Sequence, residues 1–197
     1  MNFDLSDEQK MLAEQARGLL AERSPYDHLR KLIDSGAEWD EPLWRELGEM
    51  GFLGANIPEE FGGLGMSEID LGVISEELGR VNAATPFFSS IVLAADAIRL
   101  AGSDAQKAEW LPKLASGEVV ACFASAEGPG PVLGSKMTCE GGTISGTKTP
   151  VADAGVAMLA VVQCGDALAL VMLDQPGVTR TKLKSFDELR AHYTIDF

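Results

Sequence analysis

The sequence predicts an α+β chain in more than one domain: an all-α N-terminal domain over residues 1–118, then a small antiparallel β-barrel or sandwich over residues 119–197. Three observations carry this. Capped stretches with apolar residues at helical spacing fill the first part, whereas from Val119 apolar residues recur with period two between glycine-rich turns. Acidity divides along the same line, with 22 Asp/Glu against 10 Lys/Arg in residues 1–121 and 8 against 6 in residues 122–197. The third is length: 197 residues, 46% of them hydrophobic, suffice for one large or two small cores.

Ser6 with Gln9 three residues on is a capping box, and Leu5, Met11, Leu12, Ala16, Leu19 and Leu20 supply one apolar face until Ser24-Pro25 stops the helix. A second helix is expected near residues 28–35. Asp40 caps a third, with Pro42 in its first turn and Leu43, Trp44, Leu47 and Met50 as its stripe. Ser67 caps a fourth. Thr85-Pro86 opens "FFSSIVLAADAIRLA", apolar around most of its circumference and so central to the domain or lining a cavity, and Ser103 with Gln106 boxes the last helix. The β segments are "VVACFASA", "KMTCEGG", "TISGTKT", "VAMLAVVQ", "ALALVMLD" and "GVTRTKL", with "CEGGTIS" and "QCGDALAL" as tight hairpins.

A net charge of −14 without a compensating basic cluster argues against nucleic acid and anionic membranes. No apolar run reaches the roughly 20 residues that span a bilayer, and the N-terminus lacks a signal core, which reads as cytoplasmic. Cys122, Cys139 and Cys164 are spaced as buried free thiols, and His28 and His192 stand alone, so no metal site and no nucleophilic triad is expected. The glycines of "EFGGLGMSE" have no lysine after them, no leading strand and two glutamates beside them, which favours a sharp bend over a phosphate loop.

In order and spacing, "FDLSDEQKMLAEQARGLLAE", "LWRELGEMGFLGANIPEEFGGLGMSEIDLGVISEELGR" and "AGSDAQKAEWLPKLASGE" resemble the N-terminal helical domain of the acyl-CoA dehydrogenase family, and the likeness spans essentially the whole chain. The resemblance implies a β-domain lacking its last strand here, then a C-terminal four-helix bundle, in a homo- or hetero-oligomer. It implies FAD-dependent oxidation of the Cα–Cβ bond of an acyl-CoA thioester, of fatty acid or steroid side-chain type. A glutamate takes the α-proton, flavin N5 the β-hydride, and an electron-transferring flavoprotein the electrons. The base is expected beyond Phe197, so this chain by itself is expected to be inactive.

The resemblance places flavin contacts at Phe123, Ser125 and Ala126 and at Pro150, Val151 and Ala152, and the acyl-chain wall at Phe87, Ser89, Ser90 and Leu93. The family's Thr-Glu-Pro text is here Ala126, Glu127 and Gly128. Its later stacking Trp is Pro150, its hydroxyl residue facing N5 is Ala152 and its Asn is Asp153. Each lost hydroxyl bond is worth about 1 kcal/mol, and the lost ring a similar amount, a weakening of flavin binding by about a hundredfold. Three arrangements follow: a dehydrogenase gripping FAD through its backbone and a partner, a non-flavin structural subunit of a heteromeric dehydrogenase, or a structural or interaction domain with no ligand.

Overall fold

The computed structural model describes residues 4–130 and 135–197. Among the described residues six α-helices come first: α1 (Asp7–Arg23), α2 (Tyr26–Ser35), α3 (Glu41–Glu49), α4 (Glu68–Arg80), α5 (Asp96–Ala101) and α6 (Asp104–Ala115). Both expected capping boxes form, at Ser6 with Gln9 and Ser103 with Gln106, and the Ser67 cap proves to be a third box, with Asp70. Asp40 accepts from the Leu43 N–H at the start of α3. Leu12, Ala16 and Leu20 form the buried face of α1, while Leu5 and Met11, expected on that face, are exposed, as is Met50 at the end of α3. They lie at the margins of their stripes, where the helix surface turns from its neighbours.

The apolar stretch after Pro86 departs from the α-helix expected of it. Phe88–Ala95 is wound as a π-helix and only then continues as α5. Its first turn carries two buried serines that use their hydroxyls elsewhere. Ser90 Oγ accepts from the Ala121 N–H at 3.0 Å, and Ser89 Oγ donates to Asp153 Oδ2 at 2.5 Å. Both bonds tie this helix to the β region.

The described residues of the β region form eight short strands: β1 (Ala121–Ala124), β2 (Thr138–Glu140), β3 (Thr143–Ser145), β4 (Thr147–Ala152), β5 (Leu159–Cys164), β6 (Ala167–Met172), β7 (Thr179–Lys182) and β8 (His192–Asp196). Both expected hairpins form, β2–β3 and β5–β6. The sheets are ordered β1-β5-β6, β2-β3 and β4-β8-β7, with no closed barrel among the described residues. One pairing is not antiparallel: β1 runs parallel to β5, Ala121 opposite Leu159 through Ala124 opposite Val162. A long connection separates these strands in sequence, as a parallel pair requires. Buried on both faces, β5 is the near-continuous apolar run that such a position selects.

One apolar core runs through both regions, from Leu20, Trp44 and Leu53 to Val120, Val162 and Ile195. Buried Glu77 on α4 is held by Arg17 Nη2 at 2.5 Å and Arg80 Nε at 2.7 Å, and the Arg17 bond leads in holding its carboxyl down to about 2. Between α2 and α3, Glu38 accepts from Tyr193 Oη at 2.5 Å and Lys182 Nζ at 2.8 Å, which clamps β7 and β8 to the helices. Burial pushes the Tyr193 hydroxyl up, and its bond to Glu38 adds to that.

The glycine stretch is a bend. Gly62 and Gly65 have φ of 79° and 61°, and a Cβ on Gly63 would lie 2.0 Å from the Ile57 carbonyl oxygen. The N–H groups of residues 62 to 66 donate in turn to the carbonyls of Glu59, Pro58, Gly54, Ile57 and Ala55. With all five spent inside the protein, none is left for a phosphate.

Candidate functional site

Past the end of β1 the chain crosses to β4. The Thr149 N–H donates to the Ala126 carbonyl and the Gly128 N–H to the Thr149 carbonyl, both at 2.8 Å, on either side of a Glu127–Thr149 bridge. This seam brings together the two segments named as flavin contacts, more than twenty residues apart in sequence. On it Phe123, Ser125 and Ala126 are half-buried, Val151 is buried, Ala152 is half-buried and Pro150 is exposed. Pro150 follows a cis peptide bond and stands where the β4–β8 register shifts, on an edge strand, one of the few places in a sheet that tolerates a missing N–H.

Beneath the seam lies a charged network that composition and period did not reveal. Lys148 is fully buried, and its Nζ donates to Glu127 Oε1 at 2.6 Å, the Ser125 carbonyl at 3.1 Å and Ser135 Oγ at 3.0 Å. Glu127 also accepts from Ser135 Oγ at 2.5 Å and the Lys136 N–H at 2.8 Å. Led by the Lys148 bond, these donors hold the Glu127 carboxyl down at about 2, so it stays ionised and cannot serve as a general acid near neutrality. On β4 the buried positions are Lys148 and Val151, on either side of the register shift, so strict alternation does not mark Lys148 as inward. Sequence spacing alone did not say that Glu127 and Ser135 would meet it.

Of the residues expected to form an acyl wall, Ser89 and Ser90 reach the β strands beside this seam. Phe87 is buried and lines a small cavity of about 120 Å³ with Thr85, Phe88 and Arg190. Ser89 and Ser90 face Asp153 and the start of β1, so their hydroxyls are engaged within the protein. Leu93 is half-buried one turn further on. Asp153 is buried in the left-handed region, φ 57°, and burial pushes its carboxyl up against the opposing pull of Ser89. Arg180 Nη1 donates to the carbonyls of Ala154 and Ala157 at 3.0 and 3.1 Å and fixes the turn that follows.

Burial drives the Cys122 thiol to about 12 and raises that of Cys164. Cys139, expected to be buried, is exposed on β2, and all three cysteines are free. His28 Nε2 lies 2.6 Å from Asp40 Oδ2, and His192 Nδ1 3.1 Å from the Arg190 carbonyl, both in structural roles. Among the described residues no three His, Cys, Asp or Glu side chains gather as metal ligands, and no helix is long and apolar enough to cross a membrane.

The seam's backbone is pinned at both ends, yet its side chains do not fit a flavin gripped by hydroxyls and a stacked ring. Ala126 and Ala152 have no hydroxyl, and Pro150 offers no aromatic face. The neighbouring acceptor, Asp153, is already bonded to Ser89.

Comparison with known proteins places this geometry. The acyl-CoA dehydrogenase N-terminal domain model matches residues 6–118. A probable acyl-CoA dehydrogenase of Bacillus subtilis is 33% identical over 191 residues, covering 89% of this chain and 32% of that protein. Among solved structures, the ChsE4-ChsE5 complex from Mycobacterium tuberculosis superposes with a TM-score of 0.90 at 27% identity, over 100% of this chain and 55% of that one. A variant of the Tcur3481-Tcur3483 steroid ACAD gives 0.89 at 31% identity, over 97% and 55%. The chain therefore spans about a third of the Bacillus relative and about half of each of these structures.

Proposed function

Because the chain belongs to the acyl-CoA dehydrogenase family, we propose that it serves the α,β-dehydrogenation of an acyl-CoA thioester as one component of a multi-subunit assembly, with FAD held chiefly by a partner chain. The observation that carries this is the seam: its scaffold is intact, while positions 126, 150 and 152 present two methyl groups and an exposed pyrrolidine. Two of the structures it resembles bear paired names, ChsE4-ChsE5 and Tcur3481-Tcur3483, and the second is titled a steroid enzyme. The paired names support a hetero-oligomer and the steroid title a bulky acyl group; on the same reading the electron acceptor is an electron-transferring flavoprotein and the place of work the cytoplasm.

The test is FAD titration, read by flavin fluorescence. The purified protein is expected to bind FAD weakly, and Ala126→Thr with Ala152→Thr to tighten binding by about fivefold per restored hydroxyl. One tightly held FAD per unaltered chain would overturn the partner-held reading. Unchanged affinity in the double variant would show that the seam is not where the ring sits.

A further inference from the structure

We propose that a second cavity, walled by α2, the end of α4 and the β7–β8 connection, binds a small monocarboxylate with an aliphatic body. The cavity is about 510 Å³, inside the ~300–1,000 Å³ range of small-molecule sites. It is separate from the seam: none of the flavin-contact or acyl-wall residues lines it.

Its floor is apolar. Leu29 and Ile33 come from α2, Val81 follows α4, and Leu189 comes from the connection before β8. Helix α2 has no fully buried residue, so its apolar stripe of Leu29, Leu32 and Ile33 is only half covered by the protein. An aliphatic body laid along that stripe would complete its burial.

Its charge is the reverse of the chain's. Asp and Glu outnumber Lys and Arg by 30 to 16 overall, yet Arg30 and Arg80 line this cavity and no carboxylate does. Arg80 gives its Nε to Glu77. Among the described residues its terminal nitrogens and the whole Arg30 guanidinium have no partner, leaving fork-shaped donors suited to a carboxylate.

The third observation is independent of charge. Ser24, 4% exposed, also lines the cavity, and among the described residues its Oγ is the one buried side-chain polar atom without a hydrogen-bond partner. A buried hydroxyl left unpaired is costly, and such atoms are uncommon in native proteins. A carboxylate oxygen accepting from the Ser24 hydroxyl would remove that cost.

The experiment is calorimetric titration of the protein with decanoate, with 1-decanol as the headless control. One saturable site for decanoate is expected, with 1-decanol much weaker. Arg30→Gln, a change at an exposed position, and Ser24→Ala should each weaken decanoate by about tenfold. Ser24→Ala should do so with an unchanged or raised Tm, because it deletes an unpaired group, which separates loss of a ligand contact from loss of fold. No saturable binding, equal binding of 1-decanol, or indifference of decanoate to both variants would overturn the proposal.

Discussion

Lys148→Met is the sharpest test of how the seam is held. The substitution keeps the length and apolar stem of a fully buried side chain and removes three hydrogen bonds from Nζ, one of them the 2.6 Å ion pair to Glu127. Breaking a buried pair from one side costs about 3–5 kcal/mol, because the other charge is stranded. Here the lower figure applies. Glu127 keeps Ser135 Oγ and the Lys136 N–H as donors, and its side chain is 16% exposed. A loss of ~3 kcal/mol corresponds to about 6–12 °C in Tm for a chain of this size. It should appear as a lower urea midpoint with an unchanged slope.

Two companion measurements tighten the reasoning. Glu127→Leu with Lys148→Met removes both charges and should recover a large part of the loss, since an apolar pair of matched volume replaces a buried ion pair at little cost. In Lys148→Met alone, the main influence holding Glu127 down is gone. Ser135 Oγ and the Lys136 N–H still lower it, so its folded-state value is depressed less than in the parent, and the penalty should shrink as pH falls below 4.5 towards about 2, where the parent's own carboxyl takes up its proton. A Lys148→Met chain within about 0.5 kcal/mol of the parent would refute the account; so would a double variant no more stable than the single.

Two other outcomes follow from the packing. Asp153→Asn keeps an acceptor for Ser89 and a residue type that tolerates the left-handed region, while removing a carboxyl whose folded-state value burial has raised. A raised acid contributes most at low pH and loses its contribution as pH rises, so the variant should be more stable than the parent at pH 7. The gain should shrink on acidification and vanish once the pH is well below the unfolded value of 3.8, where the parent's carboxyl is protonated in both states; thermal melts at pH 7 and at about pH 3 decide it, and a gain that grew on acidification would contradict the burial argument. Gly63→Ala should cost about 1–3 kcal/mol or more, because its Cβ would meet the Ile57 carbonyl at 2.0 Å. Gly18→Ala, on exposed α1 with nothing within 4 Å, should instead stabilise by about 1 kcal/mol; the reverse order in Tm would sink the packing reading of these glycines.

What was readable in the sequence was local. A serine with a glutamine three residues on caps a helix wherever it stands, because both hydrogen bonds close within one turn, and Ser6 and Ser103 do so. Two-residue glycine turns close hairpins for the same reason, as at β2–β3 and β5–β6. The family text was local too, since the N-terminal match rests on contiguous stretches.

What only the tertiary structure decided was long-range and charged. Lys148 and Glu127 are 21 residues apart, Ser89 and Asp153 are 64 apart, and Glu38 and Tyr193 are 155 apart. No period or cap encodes those meetings; they exist because the parallel β1–β5 pair and the π-wound helix bring distant backbone into contact. Local chemistry sets which elements form, since its bonds span a few residues. The seam, with its buried lysine and its missing hydroxyls side by side, depends on the packing of the whole chain, where burial rather than neighbourhood fixes what each side chain can do.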